Sequence, residues 1–209
     1  MAERKSGTRA AAVETTVNGA DWSRKEISSE THTRVAFVDL DVSEVESTGV
    51  SFAECTFRRA RFNASVWQDA AFTNCTFAHC NFFDARFSRC KFVGCTFDRC
   101  TFEIMKVDGG NWSLVGLPGA DLRTASFREV RMREADLTGA KCQGSSLRDV
   151  DFAGALLDRA NFSECDLRGS DLSSLDPTMT EIRGAIVSIE QAVVIAGALG
   201  LDIRPDEAE

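Results

Sequence analysis

The sequence predicts a solenoid, a rod in which short repeats stack along one axis. Every fifth residue from Phe52 to Phe102 is aromatic, and the residue two positions before each later aromatic is alanine, serine or cysteine. The same register continues from Val17 to Val187 without an insertion or deletion. A helix repeats about every 3.6 residues and a strand every second residue, so a sustained period of five indicates an internal repeat. The predicted structural core is Phe52, Phe57, Phe62, Trp67, Phe72, Phe77, Phe82, Phe87, Phe92, Phe97 and Phe102.

Several units match a known five-residue consensus. Units such as Ala120-Asp121-Leu122-Arg123-Thr124 and Ala160-Asn161-Phe162-Ser163-Glu164 resemble the A-(D/N)-(L/F)-X-X consensus of the pentapeptide-repeat family. The resemblance implies an all-β solenoid, a right-handed quadrilateral β-helix with four repeats to a coil. Residues twenty apart would then stack on neighbouring coils about 4.8 Å apart, and residues 15–187 would form a rod about 40 Å long.

The chain divides into four predicted segments. We expect a disordered N-terminal tail at residues 1–14, the β-helix at 15–187, a C-terminal helix and closing strand at 188–203, and a frayed tail at 204–209. Residues 15–50 keep the period but carry bulky or charged residues at the small positions, which suggests a degenerate N-terminal cap: Lys25, Glu30, Val35, Leu40, Val45 and Val50. The glycines near residues 109–119 are expected to form corners of the coil, because the register passes through them unbroken.

The last segment has helical features. Ser188 and Gln191 have the spacing of a capping box, and Gly200 stands where a helix-ending glycine belongs. This helix either covers the last coil or pairs with a second copy. The segment is similar to one that forms a head-to-head dimer in the MfpA and Qnr fluoroquinolone-resistance branch of the family. That similarity implies a homodimer interface of Ile189, Ala192, Val193, Ala196, Leu199 and Leu201.

The eight cysteines are predicted to be core residues. Seven stand at the small positions and Cys142 at an aromatic one, with no C-x-x-C pair of the kind that structural zinc sites prefer. We therefore predict reduced thiols that pack as small apolar groups, with disulfides and a metal site as the less favoured readings. His32 stands at a core position, where it is either a ligand or, as we favour, a residue of a degenerate coil near solvent.

No motif indicates catalysis. The chain has two histidines, no tyrosine, no phosphate-binding loop and no H-E-x-x-H motif, so we predict a protein that is not an enzyme and uses no cofactor or metal. The absence of an apolar leader or a long apolar run predicts a cytoplasmic protein that does not associate with membranes.

Charge is uneven around the predicted coil. The net charge is −8, which argues against direct binding to nucleic acid. The side centred on Phe62, Phe82, Phe102 and Leu122, called here the acidic face, carries eight acids against five bases. Its predicted partner-binding residues are Asp41, Glu44, Asp84, Glu103, Asp121 and Glu164. The apolar residues Phe83, Ile104 and Leu114 also point outward, either as one contact patch or by coincidence, which we favour.

The resemblance to the MfpA and Qnr branch implies a function. Such a rod imitates B-form DNA, binds DNA gyrase or a related type II topoisomerase, and inhibits it or protects it from quinolones or other poisons. One alternative is a non-enzymatic scaffold or adaptor for another protein. Another is self-immunity in a producer of a compound that targets topoisomerases.

Overall fold

The structure, a computed structural model, describes residues 12–204. The predicted tails therefore lie outside the described residues, apart from residues 12–14 and Arg204. The described chain forms sixteen short strands and one helix. The strands are β1 (Thr15–Asn18), β2 (Glu26–Ser28), β3 (Thr31–Thr33), β4 (Val35–Val38), β5 (Glu46–Thr48), β6 (Ser51–Ala53), β7 (Thr56–Arg58), β8 (Val66–Gln68), β9 (Ala71–Thr73), β10 (Thr76–Ala78), β11 (Arg86–Ser88), β12 (Lys91–Val93), β13 (Thr96–Asp98), β14 (Lys106–Asp108), β15 (Ser126–Arg128) and β16 (Ser146–Arg148). The helix is α1 (Ile189–Ala198).

Three parallel sheets form three sides of the rod. Their strand orders are β1-β4-β7-β10-β13, β2-β5-β8-β11-β14-β15-β16 and β3-β6-β9-β12. On the fourth side, the acidic face, single bridges link residues such as Asp41, Arg61 and Asn81. Each strand pair and bridge of the described chain joins residues twenty apart, as Phe57 pairs with Phe77. One four-sided coil therefore takes twenty residues, and the predicted all-β solenoid with a short C-terminal helix is confirmed.

The aromatic residues fill the rod as stacked columns. Phe77 lies between Phe57 and Phe97, with ring centroids 4.9 Å and 4.8 Å away, and Phe62 stacks on Phe82 at 4.8 Å. Rings on adjoining sides meet edge to face, as Phe77 meets Phe82 at 5.6 Å. All eleven predicted core aromatics from Phe52 to Phe102 are at most 8% exposed. Burial of this many large rings supplies the main driving force for coil stacking.

The cysteines line the inside of the corners as free thiols. Six of the seven at the small positions donate to a carbonyl of the preceding coil, as Cys90 does to Trp67 at 3.3 Å, and Cys142 stands at a core position. Burial raises the pKa of Cys90 to about 12, and burial likewise raises the pKa of Cys165 to about 11. Cys100 is half-buried, whereas the other seven are buried.

Corners of the coil bend through left-handed backbone. Non-glycine residues such as Glu54 and Ile104 take φ values of 54° and 49° there, and Gly109 and Gly119 fill the same position between the two halves of the rod. Asn111 still bridges to the coils on both sides of it. The glycine-rich stretches are therefore corners, as predicted, and insert no loop.

The first coils are better formed than the sequence suggests. Leu40, Val45 and Val50 are at most 1% exposed, although aliphatic residues occupy positions that later hold alanine or cysteine. They fit because the core positions beside them hold Val42 and Ser47, which are smaller than phenylalanine. Larger side chains at the small positions are thus offset by smaller side chains at the core positions, which keeps the interior closely packed.

Helix α1 begins at a complete capping box. The side chain of Ser188 accepts from the backbone N–H of Gln191, and the side chain of Gln191 accepts from the backbone N–H of Ser188. The Gln191 amide also donates to the carbonyls of Leu167 and Ser170, both at 2.7 Å. A glutamine thereby fastens the helix to the last coil, with Ile195 packed against the core beside it.

The predicted closing strand after the helix is absent. Leu201, Asp202 and Ile203 are exposed and have no regular secondary structure. A strand requires a paired neighbour for its backbone groups. The backbone N–H of Leu201 instead donates to the carbonyl of Ala196, which ends the helix.

Candidate partner-binding surfaces

The six predicted acids lie along one side of the rod. Asp41 and Asp121 stand at the bridge position of the acidic face, and Glu103 stands two residues further along its coil. Glu44, Asp84 and Glu164 occupy corner positions with φ between 51° and 60°. The twenty-residue coil thus aligns carboxylates that are up to 123 residues apart in sequence (41 to 164).

Four of these six carboxylates are in ion pairs. Their closest nitrogen–oxygen distances are 2.6 Å for Asp41 with Arg61, 3.3 Å for Glu44 with Arg24, 3.6 Å for Asp84 with Arg86 and 2.6 Å for Asp121 with Arg123. Glu103 and Glu164 have no ion pair within residues 12–204. The arginine partners lie two or twenty residues away in sequence, and Arg86 belongs to an adjoining side. Within the described chain, four of the six predicted acids are therefore paired, and Glu103 and Glu164 are not.

Two of these carboxylates, Asp41 and Asp121, are held in the ionised form. A hydrogen bond from Arg123 lowers the pKa of Asp121, and the Asp121 backbone position is fixed by the coil on its C-terminal side. At Asp41, partial burial raises the pKa, but hydrogen bonds from Ser43 and the nearby Arg61 outweigh it and lower the pKa overall. The charges of Asp41 and Asp121 consequently persist at neutral pH and below.

The outward apolar residues divide between two sides. Phe83 and Ile104 lie on the acidic face, one coil apart and diagonal to each other, and are 42% and 41% exposed. Leu114 lies on a different side of the coil, half a turn away, so the three form no single patch. A pair of neighbouring exposed apolar residues remains on the face that carries the acids.

The wall of the rod opens beside this pair. On the acidic face, bridges run from Asn81 to Thr101 and from Asp121 to Lys141, but none joins Thr101 to Asp121 in the described chain. The backbone hydrogen bonds that the ladder requires from Phe102 N–H and from Asp121 N–H are also missing there. The N–H of Ile104 bonds instead to the hydroxyl of Thr124 at 3.1 Å.

The two coils carry different turns at the opening. On the coil of Leu122, a turn over residues 117–120 is closed by a hydrogen bond from Ala120 N–H to Leu117 O at 3.1 Å. Proline followed by glycine is typical of a type II turn. The corresponding corner of the preceding coil, which follows strand β13, has no such hydrogen bond. The two corners thus differ in shape where the ladder is interrupted, and Cys100 and Ala120 are partly exposed there.

The C-terminal helix presents an apolar surface. Ile189 and Leu201 are 82% and 62% exposed, and Val193 and Leu199 are also exposed. Ala192 is exposed and Ala196 is half-buried. The single helix of the described chain thus turns a polar residue, Gln191, toward the rod and leaves most of its apolar residues uncovered.

His32 lies near the N-terminal end of the rod as a partly exposed core residue. Its ring stacks on Phe52 with centroids 5.1 Å apart, and its Nε2 lies 3.2 Å from the Glu30 carboxylate. Within residues 12–204, no group of three metal-binding side chains comes together. Among the described residues there is also no helix with the length and apolar character that crossing a membrane requires.

Known families match both halves of the rod. The family model described as Pentapeptide repeats matches residues 117–141 and 135–173, with eight copies of the repeat. The twenty-residue coils continue on both sides of these ranges. The chain thus has the architecture of a pentapeptide-repeat solenoid. A second family model, for the SV2A/B/C luminal domain, matches residues 24–102. No curated protein sequence matches the chain significantly.

Solved pentapeptide-repeat structures share the fold along the whole rod. A trypsin-treated variant of QnrB1, described as a plasmid-mediated fluoroquinolone resistance protein, superposes with a TM-score of 0.78 at 23% identity. The match covers 92% of this chain and 98% of QnrB1. Full-length QnrB1 superposes with a TM-score of 0.69 at 22% identity, over 90% and 98% of the two chains. This pentapeptide-repeat rod therefore has the fold of QnrB1.

Proposed function

We propose that this rod binds a type II topoisomerase, DNA gyrase or its relative, by imitating B-form DNA. Binding would inhibit the enzyme or protect it from quinolones or other poisons. The observation that carries the proposal is the row of fixed carboxylates along one side of a rod with the fold of QnrB1. Aligned charges on a rigid scaffold steer a basic partner and set its register.

Charge density limits how closely the rod can imitate DNA. A net charge of −8 over about 40 Å is roughly one charge per 5 Å, against one per about 1.7 Å in duplex DNA. The rod would therefore compete with DNA through its shape and the sign of its charge, helped by contacts that DNA does not offer. We expect binding to weaken with salt less steeply than DNA binding does.

Dimerisation would extend the imitation. The uncovered apolar residues of the C-terminal helix suit a second copy of the same surface, since large exposed apolar patches mark interaction sites. Two rods joined end to end would span about 80 Å, the length of some two dozen base pairs. We propose a homodimer through Ile189, Ala192, Val193, Ala196, Leu199 and Leu201.

The proposed role uses no catalytic residue, cofactor or metal, and places the protein in the cytoplasm with its topoisomerase partner. It involves no direct contact with nucleic acid. In a producer of a topoisomerase-targeting compound, the same binding would serve self-immunity. The second candidate function is a scaffold for another protein, which the exposed helix would also suit.

A supercoiling assay tests the proposal. Purified gyrase is titrated with the protein in the presence and absence of a quinolone. We expect inhibition of supercoiling, or rescue from the drug, at micromolar protein or below. Absence of both effects with gyrase and with its topoisomerase relative would favour the scaffold.

A further inference from the structure

We propose that the opening between the coils of Phe102 and Leu122 is a binding site for an arginine side chain of the partner. The identity of that partner rests on the proposed function, but the chemistry of the site does not. The site consists of two adjoining grooves of about 500 Å³ and 520 Å³ that share Cys100, Phe102 and Asp121. It lies on the acidic face, midway along the rod.

The grooves offer an apolar and aromatic floor. Phe83 and Ile104 line the second groove, and both expose about two fifths of their surface. An arginine side chain packs its stem on apolar groups and stacks its guanidinium on an aromatic face. Attraction between a cation and an aromatic ring adds to that packing.

Hydrogen-bond acceptors surround this floor. Glu103 lines the groove and has no ion pair in the described chain. The carbonyls of Cys100 and Asp121 lack the ladder partners that their counterparts have in neighbouring coils, within the described residues. A guanidinium has five N–H donors and no acceptor, so it fits a site that presents a carboxylate beside open carbonyls.

Charge at the site also favours a cation. The two grooves are lined by the acids Asp98, Glu103 and Asp121 and by the bases Arg99 and Arg123. Arg123 is bound to Asp121 at 2.6 Å, and Arg99 lies 3.9 Å from Asp98. The remaining charge is that of Glu103, which stands at the same position as Phe83 on the next coil.

Ile104 is the one β-branched residue among the left-handed corners of the described chain. Its φ is 49°, a left-handed conformation that is a genuine outlier for a β-branched residue. Glycine or asparagine would relieve that strain, as glycine does at corresponding corners such as Gly144. Strain of this kind is concentrated at functional sites. Keeping isoleucine there provides an apolar surface at a cost in stability.

Nuclear magnetic resonance tests the site without the partner. The ¹⁵N-labelled protein is titrated with N-acetyl-arginine amide, and with N-acetyl-lysine amide for comparison. We expect the arginine probe to shift the amide signals of residues 99–104 and 121–124 more than the lysine probe does. Phe83→Leu keeps an apolar residue but removes the aromatic face, and should abolish the preference for arginine.

The same variants enter the gyrase assay. Phe83→Ala and Glu103→Gln should each raise the concentration for half-inhibition about tenfold. Ile104→Gly should weaken inhibition without lowering the thermal midpoint, which separates binding from folding. Leu114→Ala, an exposed apolar corner residue on another side, is the matched control and should change neither measurement.

The outcomes separate the site from the proposed function. Arginine-dependent shifts that Phe83→Leu abolishes, with no effect on gyrase, would retain the site and reject the topoisomerase as partner. Gyrase inhibition that all three groove variants leave intact, without shifts at residues 99–104, would overturn the site and retain the function.

Discussion

The ring of Phe57 lies on the ring of Phe77 with centroids 4.9 Å apart and planes 5° from parallel. Twenty residues separate them, and their strands β7 and β10 pair in the same register. Ring stacking and backbone pairing thus specify one coil length. This agreement between side chains and main chain holds the register along the rod.

Removal of one core ring should destabilise the whole rod. Phe77→Ala leaves a cavity between Phe57 and Phe97, so we expect a loss of about 3–5 kcal/mol in the free energy of unfolding. Urea titration followed by circular dichroism measures it. Phe83→Ala is the matched control, because its ring points outward, and should cost under about 0.5 kcal/mol. Equal losses for the two variants would contradict the assigned core.

Reversal of charge on the acidic face should abolish gyrase inhibition. Asp84, Glu103 and Asp121 changed together to lysine place positive charge opposite a basic partner surface, and like charges facing each other across an interface cost several kcal/mol. Circular dichroism should not change, because all three side chains point outward. The control changes Glu46, Asp108 and Asp149 to lysine on an adjoining side of the rod, with the same net charge. If inhibition survives the first change, the acidic face does not contact the enzyme.

Charge on the C-terminal helix should produce monomers. Val193→Glu with Leu199→Glu places two carboxylates in the proposed interface, where burial of an unpaired charge is strongly unfavourable. Light scattering should give the mass of one chain, against two for the unchanged protein. Glutamate at Leu114 and Phe83 adds the same charge far from the helix and should leave the dimer intact. A dimer that persists in the helix variant would refute the interface.

Gln191 should hold the helix on the rod. Gln191→Ala removes three hydrogen bonds: two that the side-chain amide donates to the carbonyls of Leu167 and Ser170, and one that it accepts from the backbone N–H of Ser188. We expect a cost of about 1–3 kcal/mol, and faster amide exchange in residues 189–198 than in the coils. Gln68→Ala, an exposed change, is the control. Unchanged exchange in the helix would show that Ile195 alone is sufficient to hold it.

Periodicity predicts much of this fold, because position in the five-residue unit determines burial. The stacked partners of Phe62 and Phe77 follow once the twenty-residue coil is adopted from the family resemblance. Two features escape such reasoning. One is the opening at Phe102, where the five-residue register continues but the backbone hydrogen bonds between two coils are missing. The other is the absence of a strand at Leu201, whose backbone N–H bonds to the helix and not to a neighbouring strand.

The candidate surfaces are less predictable than the core. Counting acids by side finds the acidic face, but it misses that Arg61 neutralises Asp41 and Arg123 neutralises Asp121. Arginine side chains are long enough to reach carboxylates on a neighbouring coil or around a corner. The charge of a single residue therefore does not determine the net charge of the surface around it. That Glu103 stays unpaired becomes clear only when the ion pairs of the neighbouring carboxylates are known.

Competition with DNA tests the central claim most directly. A fluorescent DNA duplex is bound to purified gyrase and titrated with the protein, and the anisotropy of the duplex is followed at several DNA concentrations. Imitation of DNA predicts full displacement, with a midpoint that rises in proportion to the DNA present. A ternary complex of gyrase, duplex and protein, or no displacement at saturating protein, would contradict it.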